Sequence, residues 1–188
     1  MASIRRSLAL SAVLLASTLG AQAAGFTLSS TTVKPGSMLG EAQVFNGFGC
    51  KGQNISPALA WSGAPAATKS FALTVYDPDA PTGSGWWHWV VYNIPATATQ
   101  LPEGAGGADG KGLPAGAMQG RTDFGAPGFG GACPPAGDKP HRYVFTLYAL
   151  KTDKLEVPAD GTAALVGFMI NANKIGEAKF GARYGRSK

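Results

Sequence analysis

Short runs of β-branched, aromatic and leucine residues, interrupted by glycine and proline, occur throughout the chain after its first 24 residues. Runs of this kind predict β-strands joined by tight turns. Three runs are clearest, at 70–76, 88–94 and 142–150. In the first run, alternate residues such as Leu73 and Val75 share one side by the two-residue period of a strand, yet apolar residues also lie between them. Strands that are apolar on both sides are covered on both faces, which predicts a mainly β domain with two layers.

One segment has the period of a helix instead, and we predict it as a helix over 162–171. Its apolar positions recur at helical spacing and predict the buried face as Leu165, Phe168, Met169 and Ala172. Either Asp160 or Thr162 is placed to cap the first turn. Two long glycine-rich connections, at 95–120 and 121–137, flank the polar residues discussed below, and long loops in compact domains are often functional.

The first 23 residues have the composition of a secretory signal peptide. Arg5 and Arg6 give a positive start, an apolar stretch follows at 8–19, and small residues ending at Ala23 form a cleavage motif. A transmembrane anchor is the alternative, but the apolar stretch is shorter than the roughly 20 residues that a spanning helix needs. We therefore expect cleavage near Ala23, a periplasmic or secreted protein, and one mature domain over 24–188.

The formal charge of +5 falls to about +3 once the two arginines of the signal peptide are removed. The remaining basic residues are scattered, apart from a small cluster near the C-terminus at Lys179, Arg183, Arg186 and Lys188. Proteins that bind nucleic acid need basic residues clustered along one face, so we expect no nucleic-acid partner. We interpret the C-terminal cluster as a solvated tail, with at most peripheral contact with an acidic membrane.

The chain contains two cysteines, Cys50 and Cys133, both in the predicted mature domain. A lone pair of cysteines in an exported protein usually forms a disulfide, and two free buried thiols are the alternative. Closing a loop of this length would stabilise the fold by roughly 4 kcal/mol. Neither cysteine belongs to a CxxC motif, so the pattern does not favour a zinc site or a thioredoxin-like site.

The polar residues with useful chemistry lie at the ends of the predicted strands. Asp77 ends the first strand, while His88 and His141 begin the other two, with Tyr143 close behind. If these strands are antiparallel, the four residues meet at one edge of the sheet. Imidazole and phenol groups donate hydrogen bonds to phosphate or carboxylate, and an aspartate fixes the tautomer of a histidine. The alternative is structural, with aspartates that build turns and histidines at the surface.

Three motifs resemble the signature blocks of the phosphatidylethanolamine-binding protein family, and in particular its bacterial Raf-kinase-inhibitor-like branch. They are Asp77-Pro-Asp-Ala-Pro81, Gly85-Trp-Trp-His-Trp-Val-Val-Tyr-Asn-Ile-Pro95, and Cys133-Pro-Pro followed by His141-Arg-Tyr143. Further stretches at 49–61, 121–125 and 164–168 also match, so the likeness covers most of the mature chain. One departure is Ala132, where the bacterial pattern often has proline, which leaves the rigidity of the following turn open.

The resemblance implies an antiparallel two-sheet Greek-key fold with short peripheral helices and an anion pocket at a sheet edge. Carried over to this chain, the pocket residues are Asp77, Pro81, Trp86, His88, Pro134, His141 and Tyr143. Asp79 belongs to the same motif and is expected to brace the loop. The resemblance implies no cofactor.

Three functions fit these observations. The first is a non-catalytic binding protein for a small anionic ligand such as phosphate, phosphoethanolamine or a carboxylate, including phospholipid head groups. The second is a modulator of a protein partner, such as an inhibitor of a hydrolase, that uses the pocket rim. The third is an enzyme built on Asp77, His88 and His141, but the chain has neither a GxSxG nor an HExxH motif. We therefore expect a binding protein that is not an enzyme and holds no metal.

Overall fold

The computed structural model describes residues 25–188, so the predicted signal peptide lies outside the described residues. The elements are β1 Thr27–Ser29, a 3-10 turn Glu41–Gln43, β2 Asn46–Gly47, β3 Cys50–Lys51, β4 Leu59–Ser62, β5 Ser70–Asp77, β6 Trp86–Pro95, β7 Gln100–Leu101, β8 Met118–Gln119, β9 His141–Leu150, α1 Ala163–Asn173 and β10 Lys174–Tyr184. Within residues 25–188, no helix is both long enough and apolar enough to span a membrane.

The main sheet has five strands in the order β10-β9-β5-β6-β8, and all neighbours are antiparallel. Strands β5, β6 and β8 lie side by side, and β9 returns after a long connection to pair with β5. The spatial order β9-β5-β6-β8 is therefore a Greek key. A second sheet has the order β1-β4-β7, and β2 and β3 form a separate hairpin. The predicted mainly β, antiparallel two-sheet fold is confirmed.

Both faces of the main sheet are covered, as the apolar pattern predicted. On one face, Phe71, Leu73 and Val75 of β5 pack in the same core cluster as Leu59 and Trp61 of the second sheet. The opposite face packs against α1 in a smaller cluster, which consists of Ala72, Val90, Tyr92, Leu150, Leu155, Ala163, Val166 and Ile170. The central strands are therefore apolar on both sides because each side meets another layer.

Helix α1 forms where it was predicted, but of the predicted buried face only Met169 packs against the core. Its first turn is capped by Thr162, whose hydroxyl accepts a hydrogen bond from the backbone N–H of Leu165, 3.2 Å away. The buried side chains are Ala163, Val166 and Ile170. Leu165 and Phe168 are exposed, Phe168 by 71%. Because apolar residues occur on nearly every side of this helix, their spacing does not determine which stripe packs against the sheet.

The prediction of a solvated C-terminal tail is also wrong over most of its length. Residues Lys174–Tyr184 form β10, an edge strand that pairs with β9 along its length. Ala178, Phe180 and Ala182 face the core, while Lys179 and Arg183 alternate with them and are exposed. The strand keeps the two-residue period, but two of its three buried residues are alanines, which produce a weak hydrophobic signal.

The predicted disulfide between Cys50 and Cys133 is present, and it joins β3 to the segment before β9. The backbone of Ala132, next to Cys133, is held by two hydrogen bonds. Its N–H donates to the carbonyl of Gln43, and its carbonyl accepts from the N–H of Phe45, each over 3.0 Å. A proline at this position would have no N–H to donate, so the alanine contributes one bond that the more common residue could not make.

Candidate functional site

The C-terminal end of β5 lies between the N-terminal ends of β6 and β9. Asp77 pairs with Trp86 on β6, and Tyr76 pairs with Val144 on β9. Asp77, His88 and His141 therefore lie at one edge of the main sheet and are all nearly inaccessible to solvent. Strand direction predicts this meeting, because the C-terminal end of an antiparallel strand lies beside the N-terminal ends of its neighbours.

Two local features bring the connection between β5 and β6 close to this edge. Gly85, with φ of +69°, directly precedes β6, and a Cβ atom there would lie 2.7 Å from the carbonyl oxygen of Asp77. Only glycine fits a site that combines positive φ with such close backbone contact. Asp79 accepts hydrogen bonds from Nε and a terminal nitrogen of Arg142, and its Oδ2 also accepts from the Arg142 backbone N–H. The loop is thus tied to β9 beside His141.

Asp77 orients His141 through a buried charge-assisted hydrogen bond. Nδ1 of His141 donates to Oδ2 of Asp77 over 2.8 Å, and Oδ1 of Asp77 accepts from the N–H of Asp79 over 2.8 Å. Nε2 of His141 lies 3.5 Å from Oδ2 of Asp138, whose side chain is 45% exposed. Both oxygens of Asp77 therefore have a partner, so its main role in this geometry is to hold His141. Among residues 25–188, no group of three or more His, Cys, Asp or Glu side chains is placed to hold a metal ion.

His88 is held by the backbone of the segment that follows β8. Its Nδ1 lies 2.7 Å from the carbonyl oxygen of Gly130. Burial lowers the pKa of His88 below its ordinary value, although the carbonyl of Gly130 and the charge of Asp77 act in the opposite direction. The ring also meets the edge of the Tyr143 ring, with 5.0 Å between centroids. His88 is thus fixed in orientation and favoured in its neutral form.

The hydroxyl of Tyr143 is buried and has no hydrogen-bond partner among residues 25–188. Tyr143 lies two residues after His141 on β9, and its side chain is 2% exposed. Burial, followed by the negative charge of Asp77, raises the pKa of this phenol far above its ordinary value, so the hydroxyl keeps its proton. A buried hydroxyl without a partner costs about 1–3 kcal/mol. A ligand oxygen placed next to it would remove that cost.

These side chains surround one cavity of about 170 Å³. All seven residues carried over from the family resemblance line it, together with six others that the resemblance did not include: Phe48, Ala80, Thr82, Phe124, Cys133 and Pro135. The polar groups are few and the walls are largely aromatic and proline side chains, which is the usual composition of a small-ligand site. The residues are brought together by the fold, and their binding of a ligand stays a prediction.

Two phenylalanines in the cavity wall were missed from the sequence. The ring of Phe124 packs edge-on against Trp86 and His88, with centroids 5.4 Å away in both cases. Phe48, which is 68% exposed, lies at the tip of the β2–β3 hairpin with φ of +53°, and its ring lies parallel to that of Phe124. Phe124 lies inside the family stretch at 121–125, which gives no sign in the sequence that this ring reaches the cavity. The two turn residues of this hairpin are Phe48 and Gly49, both with positive φ, and a phenylalanine at such a position gives no turn signal in the sequence.

Arg186, assigned to a solvated tail from the sequence, instead joins two walls of the cavity. Its Nε donates to the carbonyl of Pro134 over 2.6 Å, and a terminal nitrogen lies 3.5 Å from the carbonyl of Phe48. The disulfide reinforces the same connection, because Cys133 lines the cavity and Cys50 follows the Phe48 turn. The turn and the Cys133-Pro134 wall are thus held together by a covalent bond and by an arginine.

Comparison with known proteins agrees with this architecture. The family profile described as phosphatidylethanolamine-binding protein matches residues 29–185. UPF0098 protein YbcL of Escherichia coli is 60% identical over 174 residues, which cover 93% of this chain and 95% of that protein. UPF0098 protein YbhB of the same organism is 48% identical, over 84% of this chain and 98% of that protein.

Solved structures give the same result. The crystal structure of E. coli YbcL, described as a new member of the mammalian PEBP family, superposes with a TM-score of 0.84 and covers 86% of this chain and 99% of that one. The homologue CT736 from Chlamydia trachomatis, at 30% identity, gives a TM-score of 0.69 over 87% of this chain and 99% of that one. With its fold, its motifs and these relatives in agreement, the chain belongs to the phosphatidylethanolamine-binding protein family, in the bacterial branch that includes YbhB and YbcL.

Proposed function

We propose that this protein is a non-catalytic binding protein whose cavity holds the phosphate-bearing end of a small ligand. The observation that carries the proposal is the Tyr143 hydroxyl, a buried donor in the cavity wall with no partner within residues 25–188. An anionic oxygen would accept from it, and hydrogen bonds to charged acceptors are about twice as strong as neutral ones. His88 and His141 line the same cavity and supply further polar contacts.

The size of the cavity supports a ligand no larger than a head group. Sites for drug-sized molecules usually enclose about 300–1,000 Å³, and this one encloses about 170 Å³. A phosphate, a phosphoethanolamine group or a small carboxylate matches that scale. If the ligand is a phospholipid, its acyl chains stay outside, where the exposed ring of Phe48 at the cavity wall offers them an apolar surface.

Binding without catalysis agrees with what the family generally does, since its members are generally ligand-binding or inhibitor-like proteins. The geometry adds a reason specific to this chain. Oδ2 of Asp77 accepts a hydrogen bond from His141 and Oδ1 accepts one from the backbone of Asp79, so the contacts of this buried carboxylate are those of a group that orients His141. The proposal therefore assigns Asp77 to the orientation of His141.

We also propose that the protein acts in the periplasm or outside the cell. The Cys50–Cys133 disulfide supports this location, because disulfides persist in oxidising compartments and are rare where thiols are kept reduced. Cleavage near Ala23 would release the domain that begins at residue 24. N-terminal sequencing of the protein recovered from the periplasm and the medium of expressing cells tests both points, and an intact N-terminus in the cytosol would contradict them.

The binding proposal is tested by titrating the mature chain with phosphate and with phosphoethanolamine while following the histidine ring signals by NMR. The chain has only two histidines, so His88→Ala and His141→Ala assign the signals. We expect both rings to shift together and saturably, and Asp77→Asn to change the response of His141. If neither ring responds at millimolar ligand, the small-anion proposal is wrong, and protein partners of the cavity rim become the hypothesis to test.

A further inference from the structure

The hydrogen bond between His88 and Gly130 determines the tautomer of the histidine. A carbonyl oxygen only accepts hydrogen bonds, so Nδ1 of His88 must carry a hydrogen and donate it across the 2.7 Å contact. In the neutral ring the other nitrogen, Nε2, then has a lone pair and no hydrogen. The nitrogen that remains for a ligand is therefore a hydrogen-bond acceptor.

The charged side chains that act on His88 are carboxylates. The titratable groups around it are Asp77 from β5, His141 and Tyr143 from β9, and Asp123 from the segment after β8, and the backbone of Gly130 and Gly131 also acts on it. Within the part of the chain that the structure describes, no lysine or arginine lines the cavity. The nearby carboxylate of Asp77 is itself committed to His141. Burial lowers the pKa of His88, so the empty site favours the neutral ring.

A fully deprotonated phosphate does not fit this set of partners. Tyr143 offers one hydrogen to an anionic oxygen, but a second oxygen placed against Nε2 of His88 would bring two lone pairs together. One hydrogen between the phosphate oxygen and Nε2 changes that contact from repulsion to a charge-assisted hydrogen bond. The hydrogen reaches the site either on the phosphate, as its monoanion, or on the imidazole.

We propose that each phosphate enters the cavity together with one proton, which is held between a phosphate oxygen and Nε2 of His88. This inference rests on the proposed function and adds the ionic form of the ligand to it. The site then prefers oxyanions that share a proton, such as phosphate monoesters, and its affinity for them depends on pH in a defined direction.

The direction follows from the two groups that compete for the proton. Phosphate monoesters lose their second proton with a pKa of about 6, and the pKa of the buried His88 lies below its ordinary 6.5. Above both values the free protein and the free ligand each lack the proton, so binding must take one from solution. The dissociation constant then rises about tenfold for each pH unit. Below the pKa of the ligand, the monoanion brings its own proton, so binding needs no proton from solution and this rise of the dissociation constant with pH ends.

Isothermal titration calorimetry of the mature chain with methyl phosphate measures this proton directly. At pH 8, titrations in two buffers with different heats of ionisation give the number of protons taken up per ligand, and we expect about one. At pH 5 the same comparison is expected to give a value near zero. His88→Gln is the informative variant, because its side-chain amide carries hydrogens at the position of Nε2 and needs no added proton. We expect it to bind at pH 8 with uptake near zero.

The outcomes separate this inference from the function on which it rests. Binding by the wild-type chain at pH 8 without proton uptake overturns the inference and leaves the proposed function standing. Uptake of one proton that persists in His88→Gln also overturns it, because another group then holds the proton. No binding at either pH overturns the proposed function itself. If His88→Gln does not fold, the wild-type buffer comparison at pH 8 still decides whether a proton enters with the ligand, and the NMR signal of the His88 ring in the complex decides whether that ring shares it.

Discussion

Removal of the disulfide is expected to lower the free energy of unfolding by about 4.5 kcal/mol. The perturbation is the double substitution Cys50→Ala and Cys133→Ala, which leaves no free thiol to form mixed disulfides. The two cysteines are separated by 83 residues. Closing a loop of that size removes about 15 cal/mol/K of entropy from the unfolded chain, which corresponds to about 4.5 kcal/mol at 25 °C. Domains of this size are usually stable by only about 5–15 kcal/mol, so the bridge is a large share of the total.

Urea denaturation followed by tryptophan fluorescence measures the loss. With a slope of about 2 kcal/mol/M, the unfolding midpoint should fall by roughly 2 M, and the melting temperature should fall by about 13 °C. Reduction of the wild-type protein should reproduce the shift, while the same reductant should not affect the double variant. A loss below 1 kcal/mol would refute the reasoning, because the unfolded chain would then gain little freedom when the bridge is absent.

Three further predictions follow from charges and caps. Asp79→Asn should lower stability by about 1 kcal/mol at neutral pH, a value reduced for the exposure of the Asp79–Arg142 pair. The hydrogen bond from Arg142 lowers the pKa of Asp79 from 3.8 to about 2, so this contribution to stability is present above pH 4 and is lost as pH falls toward 2. Urea denaturation between pH 2 and pH 5 should show this pH dependence in the wild-type protein and not in Asp79→Asn. Asp138→Asn should strengthen phosphate binding about three- to tenfold by calorimetry, because the carboxylate of Asp138 lies 3.5 Å from Nε2 of His141 and repels the ligand. Asp153→Asn, just beyond the far end of β9, is the control and should not change the affinity for phosphate. Thr162→Ala should cost about 1 kcal/mol of stability without changing affinity, since it removes the cap of α1. An unchanged melting curve for Asp79→Asn or Thr162→Ala, or unchanged affinity for Asp138→Asn, would contradict the corresponding assignment.

The central sheet and the edge that carries the site could be predicted from the sequence because both depend on strong local signals. The strands β5, β6 and β9 are long, rich in aromatic and β-branched residues, and bounded by turn residues. Once their directions are antiparallel, the positions of Asp77 and the two histidines at strand ends bring these residues to the same edge. The family motifs then added Pro81, Trp86 and Pro134, which have no chemical signal of their own.

Features that depend on tertiary contacts were not predicted. Packing against the main sheet determines which side of α1 is buried, and the spacing of its apolar residues does not show this. Phe168, predicted on the buried face, is therefore exposed. Strand β10 is stabilised by pairing with β9, and its own residues give little indication of a strand. Arg186 lies beyond β10, and its contact with the carbonyl of Pro134 joins positions 52 residues apart in sequence. Composition alone describes such an arginine only as a basic residue near a terminus.

The most direct test of the proposed function is the affinity of Tyr143→Phe for phosphate. This substitution removes only the buried hydroxyl that has no partner within residues 25–188. Tyr148→Phe is the matched control, because Tyr148 lies on the same strand but packs against the cluster on the opposite face of the sheet. The hydroxyl is expected to contribute about 1–2 kcal/mol to binding. Calorimetry should therefore show a dissociation constant about 5- to 30-fold larger for Tyr143→Phe and unchanged for Tyr148→Phe. Equal affinity for the wild-type protein and Tyr143→Phe would contradict the account, because the anion would then not accept a hydrogen bond from the hydroxyl on which the proposal rests.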